Sequence, residues 1–167
     1  RLHDVENALM KQHNCTEQEA NKAASLANGN WSLALHYLND QENENFYSRC
    51  FQKWMRYCFR FSASELIDFI ANDIKPVGGE KRKDFRTYGL NMFHNVLLVN
   101  NGLINHVLIP DDEKTFLNNF APFVTYNNID LICELFEESI NQIERNGNAS
   151  LIFLDNSFKI YNYFKMK

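Results

Sequence analysis

Residues 26–38 read LANGNWSLALHYL, and this stretch ends one helix and begins the next. Gly29 stands where a glycine that ends a helix adopts the left-handed conformation, and the side chain of Asn30 can cap the helix that follows. After the cap, apolar residues recur at the spacing of one helical face: Trp31, Ala34, Leu35 and Leu38. The stretch therefore predicts two helices joined by a tight turn.

The residues before this stretch complete a small helical unit. Leu2 begins one apolar stripe, and Thr16 and Glu19 then stand in the register of a capping box ahead of a second helix. Alanines line one face of that second helix: Ala20, Ala23, Ala24 and Ala27. Because alanine side chains are short, we expect the neighbouring helix to approach closely. The sequence predicts a three-helix unit over residues 1–40.

A polar run separates this unit from the rest of the chain. Residues 39–45 read NDQENEN and contain no apolar residue, and several of their side chains favour caps or turns. We therefore expect a linker and a domain boundary here. The second domain is predicted to cover residues 45–167.

The second domain is predicted to be helical throughout. Residues 46–61 are apolar on nearly every side, as is typical of a central helix, and Ser62 and Glu65 repeat the capping-box register. Helical stripes recur in residues 85–99, 129–143 and 149–164, whereas LINHVLIP at residues 103–110 is expected to be an extended or irregular connector. The whole chain is thus predicted to be all-α, with a bundle of about five to six helices after the three-helix unit.

The last helix has more apolar residues than one face requires. Its main stripe is expected to face the core: Leu151, Leu154, Phe158 and Tyr161. Phe153 and Ile160 lie outside that stripe, as does Ile152. Excess apolar surface usually marks a binding partner, so Phe153 and Ile160 are the candidate subunit-interface residues.

Composition indicates a folded protein without a strong charge signal. The 167 residues are 45% hydrophobic and carry a net charge of -4, which argues neither for nor against nucleic acid or membrane as a partner. No apolar run approaches the roughly eighteen residues of a membrane span. The four cysteines show no CxxC pairing, so we expect reduced thiols and a cytoplasmic location. Because the first residue is Arg1, we expect a piece of a longer protein.

The sequence contains no motif that predicts catalysis. A phosphate-binding loop of the form GxxxxGK[ST] is absent, and no histidine pair has the spacing of a helical zinc site. Glu134, Glu137 and Glu138 are expected to face water beside an apolar stripe. We therefore predict no catalytic residue, cofactor, metal site or small-molecule substrate; an enzyme acting through Cys58 or His94 is a distant alternative.

One basic cluster supports a different function. Residues 78–86 read GGEKRKDFR, in which four cations follow two flexible glycines. Cations of this kind can contact phosphates near a helix start, although Glu80 and Asp84 dilute the charge. The alternative prediction is a helical nucleic-acid-binding module that uses these cations: Lys81, Arg82, Lys83 and Arg86.

LANGNWSLAL, followed by a polar run and an aromatic-rich helix, resembles the junction between lid and collar in the delta-prime family of bacterial DNA polymerase III clamp-loader subunits. Residues 120–160, FAPFVTYNNIDLICELFEESINQIERNGNASLIFLDNSFKI, are similar to the end of the collar in members of the Bacteroidetes type. The resemblance covers nearly the whole chain through patterns of helices rather than chemical motifs. It implies an AAA+ lid over residues 1–40 and a collar over residues 45–167, without the N-terminal AAA+ core.

The resemblance also implies partners and roles. The implied partners are the other clamp-loader subunits of a hetero-oligomer. DNA would be contacted only through the assembled complex, and no membrane is expected as a partner. In ATP-binding relatives an Arg often stands three positions after the lid glycine, where this chain has Ser32. A hydroxyl cannot place a delocalised cation beside a phosphate, so nucleotide contact is not expected. SRC at residues 48–50 matches the arginine-finger tripeptide of this family, but it lies within an apolar helix and Arg49 is expected on its surface.

Overall fold

The computed structural model describes residues 2–107, 109–145 and 147–166. Over these ranges the chain forms eight α-helices and no strand, which confirms the all-α prediction. The helices are α1 (Leu2–His13), α2 (Glu17–Leu26), α3 (Trp31–Arg60), α4 (Ala63–Phe69), α5 (Gly79–Asn100), α6 (Asp111–Phe120), α7 (Ile129–Glu144) and α8 (Ala149–Phe164). A π-helical turn (Ile70–Ile74) follows α4, and 3-10 turns occupy Ile104–His106 and Ala121–Phe123.

The chain divides into two compact units between Tyr47 and Ser48, and this division lies within α3. Residues 39–45, which we expected to form a linker, are helical. Glutamine and glutamate are good helix formers, and Nε2 of Gln41 donates to Oδ1 of Asn45 at 3.2 Å, one turn away along the helix. The polar run therefore continues the helix instead of ending it.

The first unit follows its local sequence signals. The backbone N–H of Glu19 donates to Oγ1 of Thr16 at 3.3 Å, and that of Thr16 donates to Oε2 of Glu19 at 2.9 Å, which completes the predicted capping box. Gly29 has a φ of 77°, and Oδ1 of Asn30 caps α3 by accepting from the N–H of Leu33 at 3.1 Å. Small side chains fill most of the core: Val5, Leu9, Ala20, Ala23, Ala24, Ala27, Ala34 and Leu38.

The second unit is built around the final turns of α3, as predicted. That segment buries a run of mostly large side chains: Cys50, Phe51, Trp54, Met55 and Cys58. Helices α5 and α7 pack tightly at Gly89, where a Cβ atom would stand only 2.5 Å from Cε1 of Phe136. Only glycine fits here without moving the Phe136 ring.

Helix α4 begins after Ser62, but the capping box predicted there does not form. Ser62 has ψ of 97° and its side chain makes no capping hydrogen bond. The carboxylate of Glu65 instead accepts from Nη2 of Arg60 at 3.2 Å. Phe61 has a left-handed backbone with φ of 48°, so the turn between α3 and α4 is set by that residue rather than by a cap.

The predicted connector at residues 103–110 contains the 3-10 turn Ile104–His106 and the buried side chain of Val107. Leu108 of that connector lies outside the described residues, as does Asn146, which stands between the helical stripes predicted over residues 129–143 and 149–164. Among the helices that are described, none has the length and apolar character needed to cross a membrane.

Candidate protein interaction site

The face of α8 that points into the second unit is the opposite of the predicted one. Phe153 and Ile160 are both 0% exposed and cannot meet a partner protein, so their assignment as interface residues is corrected here. Asn156 and Ser157 are buried beside them. The predicted core stripe, by contrast, is largely exposed.

Buried hydrogen bonds account for this orientation of α8. Nε1 of Trp54 donates to Oγ of Ser157 at 2.7 Å, and Ser157 in turn donates to the carbonyl oxygen of Phe153 at 2.6 Å. Asn156 forms a hydrogen bond with the hydroxyl of Ser139 on α7. A buried indole N–H needs an acceptor, and Ser157 supplies it only when this face of α8 is turned inward. The apolar periodicity of α8 does not indicate this orientation because it takes no account of polar side chains that are buried through hydrogen bonds.

Arg86 belongs to the same interior. Its side chain is 0% exposed, and its Cζ atom lies 3.8, 4.8 and 5.6 Å from the ring centroids of Phe153, Trp54 and Phe136. With the amide oxygen of Asn156 facing the guanidinium, that oxygen accepts from Nη1 at 2.6 Å and from Nη2 at 3.1 Å. Burial lowers the pKa of Arg86 to about 9, so the group stays charged at neutral pH.

The basic cluster at the start of α5 is therefore smaller than the sequence indicated. Arg86 is removed from the candidate nucleic-acid contacts because its charge is enclosed by rings. Lys83 pairs with Glu144, and this hydrogen bond raises the pKa of Lys83. Nε of Arg82 donates to the carbonyl oxygen of Val77 at 2.9 Å, and Lys81 is partly exposed. Lys83 and Arg82 are bonded within the chain, so these three residues form a weak basis for binding a phosphate backbone.

Large apolar side chains gather on the outer face of α8 and the adjoining α4. Leu151 is 64% exposed, Leu154 41%, Phe158 54% and Ile67 56%; these four residues are called the α8 face below. A shallow cleft of about 220 Å³ lies between the two helices, with Leu151, Leu154 and Ile67 on its walls. The Phe158 ring contacts the Phe61 ring at 5.4 Å between centroids. Four exposed apolar side chains on one face form a surface suited to contact with another protein.

A second apolar depression lies elsewhere in the second unit. It has a volume of about 420 Å³ and is called the arginine groove below. The sequence predicts apolar residues on nearly every side of this part of α3, but it does not indicate which side is open. The groove is lined by Met55, Arg56, Phe59, Arg60, Phe116, Asn119, Phe120 and Phe123.

The other candidate residues are not brought together. Ser32 is exposed in the first turn of α3, Arg49 is exposed on the same helix, and His94 is exposed on α5. Burial raises the pKa of Cys58 to about 12, which keeps its thiol protonated and unreactive at neutral pH. Glu134, Glu137 and Glu138 are exposed on α7, as predicted.

Over the described ranges, no group of three or more His, Cys, Asp or Glu residues is arranged to hold a metal ion. The four cysteines, two buried and two partly buried, are free thiols. Comparison with models of protein families, with curated proteins and with solved structures found no match for this chain.

Proposed function

We propose that this chain is a non-catalytic assembly region of a DNA polymerase III clamp-loader subunit that holds its neighbours in the ring that loads the sliding clamp during DNA replication. Residues 1–40 would be the lid and residues 45–167 the collar. The observation that carries the proposal is the α8 face, since a protein that works alone rarely leaves four large apolar side chains exposed side by side. The resemblance to delta-prime subunits supplies the identity of the partners.

The α8 face has the composition of the centre of an interface. It joins aliphatic side chains to one aromatic ring, and Phe61 and Tyr161 extend it, with ring centroids 4.6 Å apart. A stable contact should bury about 1,000 Å² or more of surface in total. These side chains and the polar residues around them can supply part of that area. Each collar contact can be weak alone, because a closed ring shares the binding among several interfaces.

The lid is proposed to act in assembly rather than on nucleotide. Ser32 lies at the start of α3 with its side chain exposed, and it brings no positive charge to that helix end. We propose that the chain neither binds nor hydrolyses ATP. An affinity for ATP tighter than roughly 100 μM in calorimetry, about -5.5 kcal/mol, would contradict this.

The assembly proposal is tested with substitutions on the α8 face. Leu151→Glu and Phe158→Glu each place a charge where an apolar contact is proposed, and Asn91→Asp adds one at an exposed position of α5 as the matched control. The chain is mixed with the other clamp-loader subunits of the same organism, and assembly is followed by analytical ultracentrifugation. We expect both α8-face variants to lose assembly at tens of micromolar, whereas Asn91→Asp assembles like the parent.

Circular dichroism comes first, because all three variants must keep the helical spectrum of the parent. Assembly that is unchanged in both α8-face variants, or a parent that stays monomeric with every partner present, would refute the proposal. Salt-dependent binding of duplex DNA by the isolated chain, lost when Lys81 and Arg82 are replaced by Gln, would instead favour the nucleic-acid alternative.

A further inference from the structure

The arginine groove has two walls of different origin. One wall is the end of α3, where Met55 and Phe59 stand one helical turn apart. The opposite wall comes from α6 and the 3-10 turn after it, and it includes Phe116 and Phe123. The Phe59 and Phe123 rings meet with their centroids 4.4 Å apart, and both rings remain partly open to solvent. The volume of about 420 Å³ falls within the range of pockets that bind small ligands or single large side chains.

Two cations stand on the rim of this apolar groove. Arg56 and Arg60 are four residues apart on α3, so their side chains lie on the same face, and both are exposed. Cζ of Arg56 lies 5.9 Å from the centre of the Phe116 ring, and within the described residues no carboxylate pairs with this guanidinium. Arg60 pairs with Glu65 at 3.2 Å, but an exposed pair of this kind is easily exchanged for another carboxylate.

We propose that the arginine groove binds a short acidic segment of a partner protein, with a large apolar side chain in the groove and carboxylates on Arg56 and Arg60. The chain carries a net charge of -4, so Arg56, with Arg60 and its partner Glu65 beside it, places positive charge next to exposed rings on an acidic chain. A guanidinium fits a carboxylate with two parallel hydrogen bonds. The amide of Asn119, on the opposite wall, can donate to and accept from the backbone of an extended peptide.

Charge argues against nucleic acid as the occupant. A single strand is held by a basic track along several phosphates, and the groove offers two cations within an acidic chain. The groove is also distinct from the α8 face, with which it shares no residue. Its occupant is therefore inferred independently of ring assembly.

The proposal is tested by fluorescence anisotropy with three fluorescein-labelled ten-residue peptides. The first has a central Phe-Leu-Phe flanked on both sides by Asp and Glu, the second replaces every acid by Asn or Gln, and the third replaces the central residues by Ser. We expect the first peptide to bind with Kd below about 100 μM, and the other two to bind at least about tenfold more weakly. Binding of the first peptide should also weaken as salt is added.

Variants of the full chain locate the binding site. Arg56→Gln should weaken binding of the acidic peptide about tenfold while leaving the amide peptide unaffected, and Phe123→Ser should weaken both. Glu65→Gln should tighten binding of the acidic peptide about twofold, because it releases Arg60 from its pair. Arg49→Gln, an exposed arginine of α3 outside the groove, is the matched control and should change nothing.

Several results would overturn the proposal. Equal affinity for the acidic and amide peptides, or unchanged affinity in Arg56→Gln together with Phe123→Ser, would show that the groove is not the site. Binding of dodecanoate with no binding of any peptide would identify a small amphiphile as the occupant. Self-association that is lost in Arg56→Gln would identify a second copy of this chain.

Discussion

The two units of the molecule build their cores from different side chains. In the first unit, which ends at Tyr47, the core is mainly alanine, and α2 alone contributes Ala20, Ala23 and Ala24. In the second unit, the largest buried side chains are mostly aromatic, and they include Trp54 and Phe153. Alanine loses no rotamer freedom when it is buried, so the first unit gains from many small contacts at low entropic cost. The second unit instead relies on a few large buried side chains, and one of these is a cation.

This difference predicts where each unit is vulnerable. Alanine side chains are already short, so shortening one of them removes little buried contact. The stability of an alanine core should therefore depend on the caps and turns that set the helix ends. An aromatic core should depend on single rings and on the polar groups that satisfy them. The chain has two tryptophans, Trp31 in the first unit and Trp54 in the second, so the fluorescence of each can report on its own unit.

Removing the central indole should have the largest effect. Trp54→Ala leaves a cavity among Phe85, Phe136 and Phe153, whose ring centroids lie 5.8, 5.6 and 5.0 Å from that of Trp54. We expect the free energy of unfolding of the second unit to fall by about 4 kcal/mol. Urea denaturation followed by circular dichroism measures the loss.

Trp31→Ala is the comparison in the first unit. Trp31 is only partly buried at the edge of the alanine core, so its removal should cost about 2 kcal/mol. If the two truncations cost the same, the contrast between a distributed and a concentrated core would be wrong.

The next effect concerns the cation enclosed by rings. Asn156→Leu removes the amide oxygen that accepts from Nη1 and Nη2 of Arg86, and a buried guanidinium that loses an acceptor is costly. We expect the free energy of unfolding of the second unit to fall by about 3 kcal/mol. Replacing Arg86 by Met in the same chain removes the charge that needs the amide, so the double variant should recover part of that loss.

A double-mutant cycle over these two residues quantifies the contact. A coupling energy of about 2 kcal/mol, from urea denaturation of the parent, both single variants and the double variant, is expected for a charged hydrogen-bonded pair. Additive effects would mean that Asn156 acts by filling space and that the rings alone hold Arg86.

The same contrast explains which parts of the fold the sequence predicts. In the first unit the capping box at Thr16, the left-handed Gly29 and the cap at Asn30 are local signals, and all three were predicted correctly. The orientation of α8 was predicted wrongly because it depends on Trp54, which lies 103 positions earlier in the chain than its acceptor Ser157. No periodicity within α8 contains that information.

Arg86 was misplaced for a related reason. Its neighbours in sequence are charged, so it was assigned to a basic surface, whereas the rings that enclose it come from α3, α7 and α8. The arginine groove was missed because its walls are far apart in sequence. The π-helical turn after α4 shows no clear signal in the residues that form it.

A smaller effect is expected where α5 and α7 meet. Gly89→Ala would place a Cβ 2.5 Å from Cε1 of Phe136 and 3.3 Å from Cε2 of Phe51, so the rings must shift. Overpacking of this kind outweighs the roughly 1 kcal/mol that alanine gains in a helix, and we expect a net loss of about 2 kcal/mol. Gly79→Ala is the control, since its added Cβ would meet nothing within 4 Å apart from its chain neighbours and the backbone of its own helix. A loss in Gly79→Ala as large as that in Gly89→Ala would mean that close packing is not the cause.

The smallest effect compares the two predicted capping boxes. Thr16 caps α2 with its hydroxyl, whereas Ser62 precedes α4 without any side-chain capping bond. Thr16→Ala should therefore destabilise the first unit by about 1 kcal/mol, and Ser62→Ala should change the second by less than about 0.5 kcal/mol. Trp31 fluorescence in a Trp54→Phe background reports the first loss, and Trp54 fluorescence in a Trp31→Phe background reports the second. A larger loss at Ser62 than at Thr16 would show that capping, rather than the left-handed Phe61, sets the turn before α4, and that the second unit also depends on its helix ends.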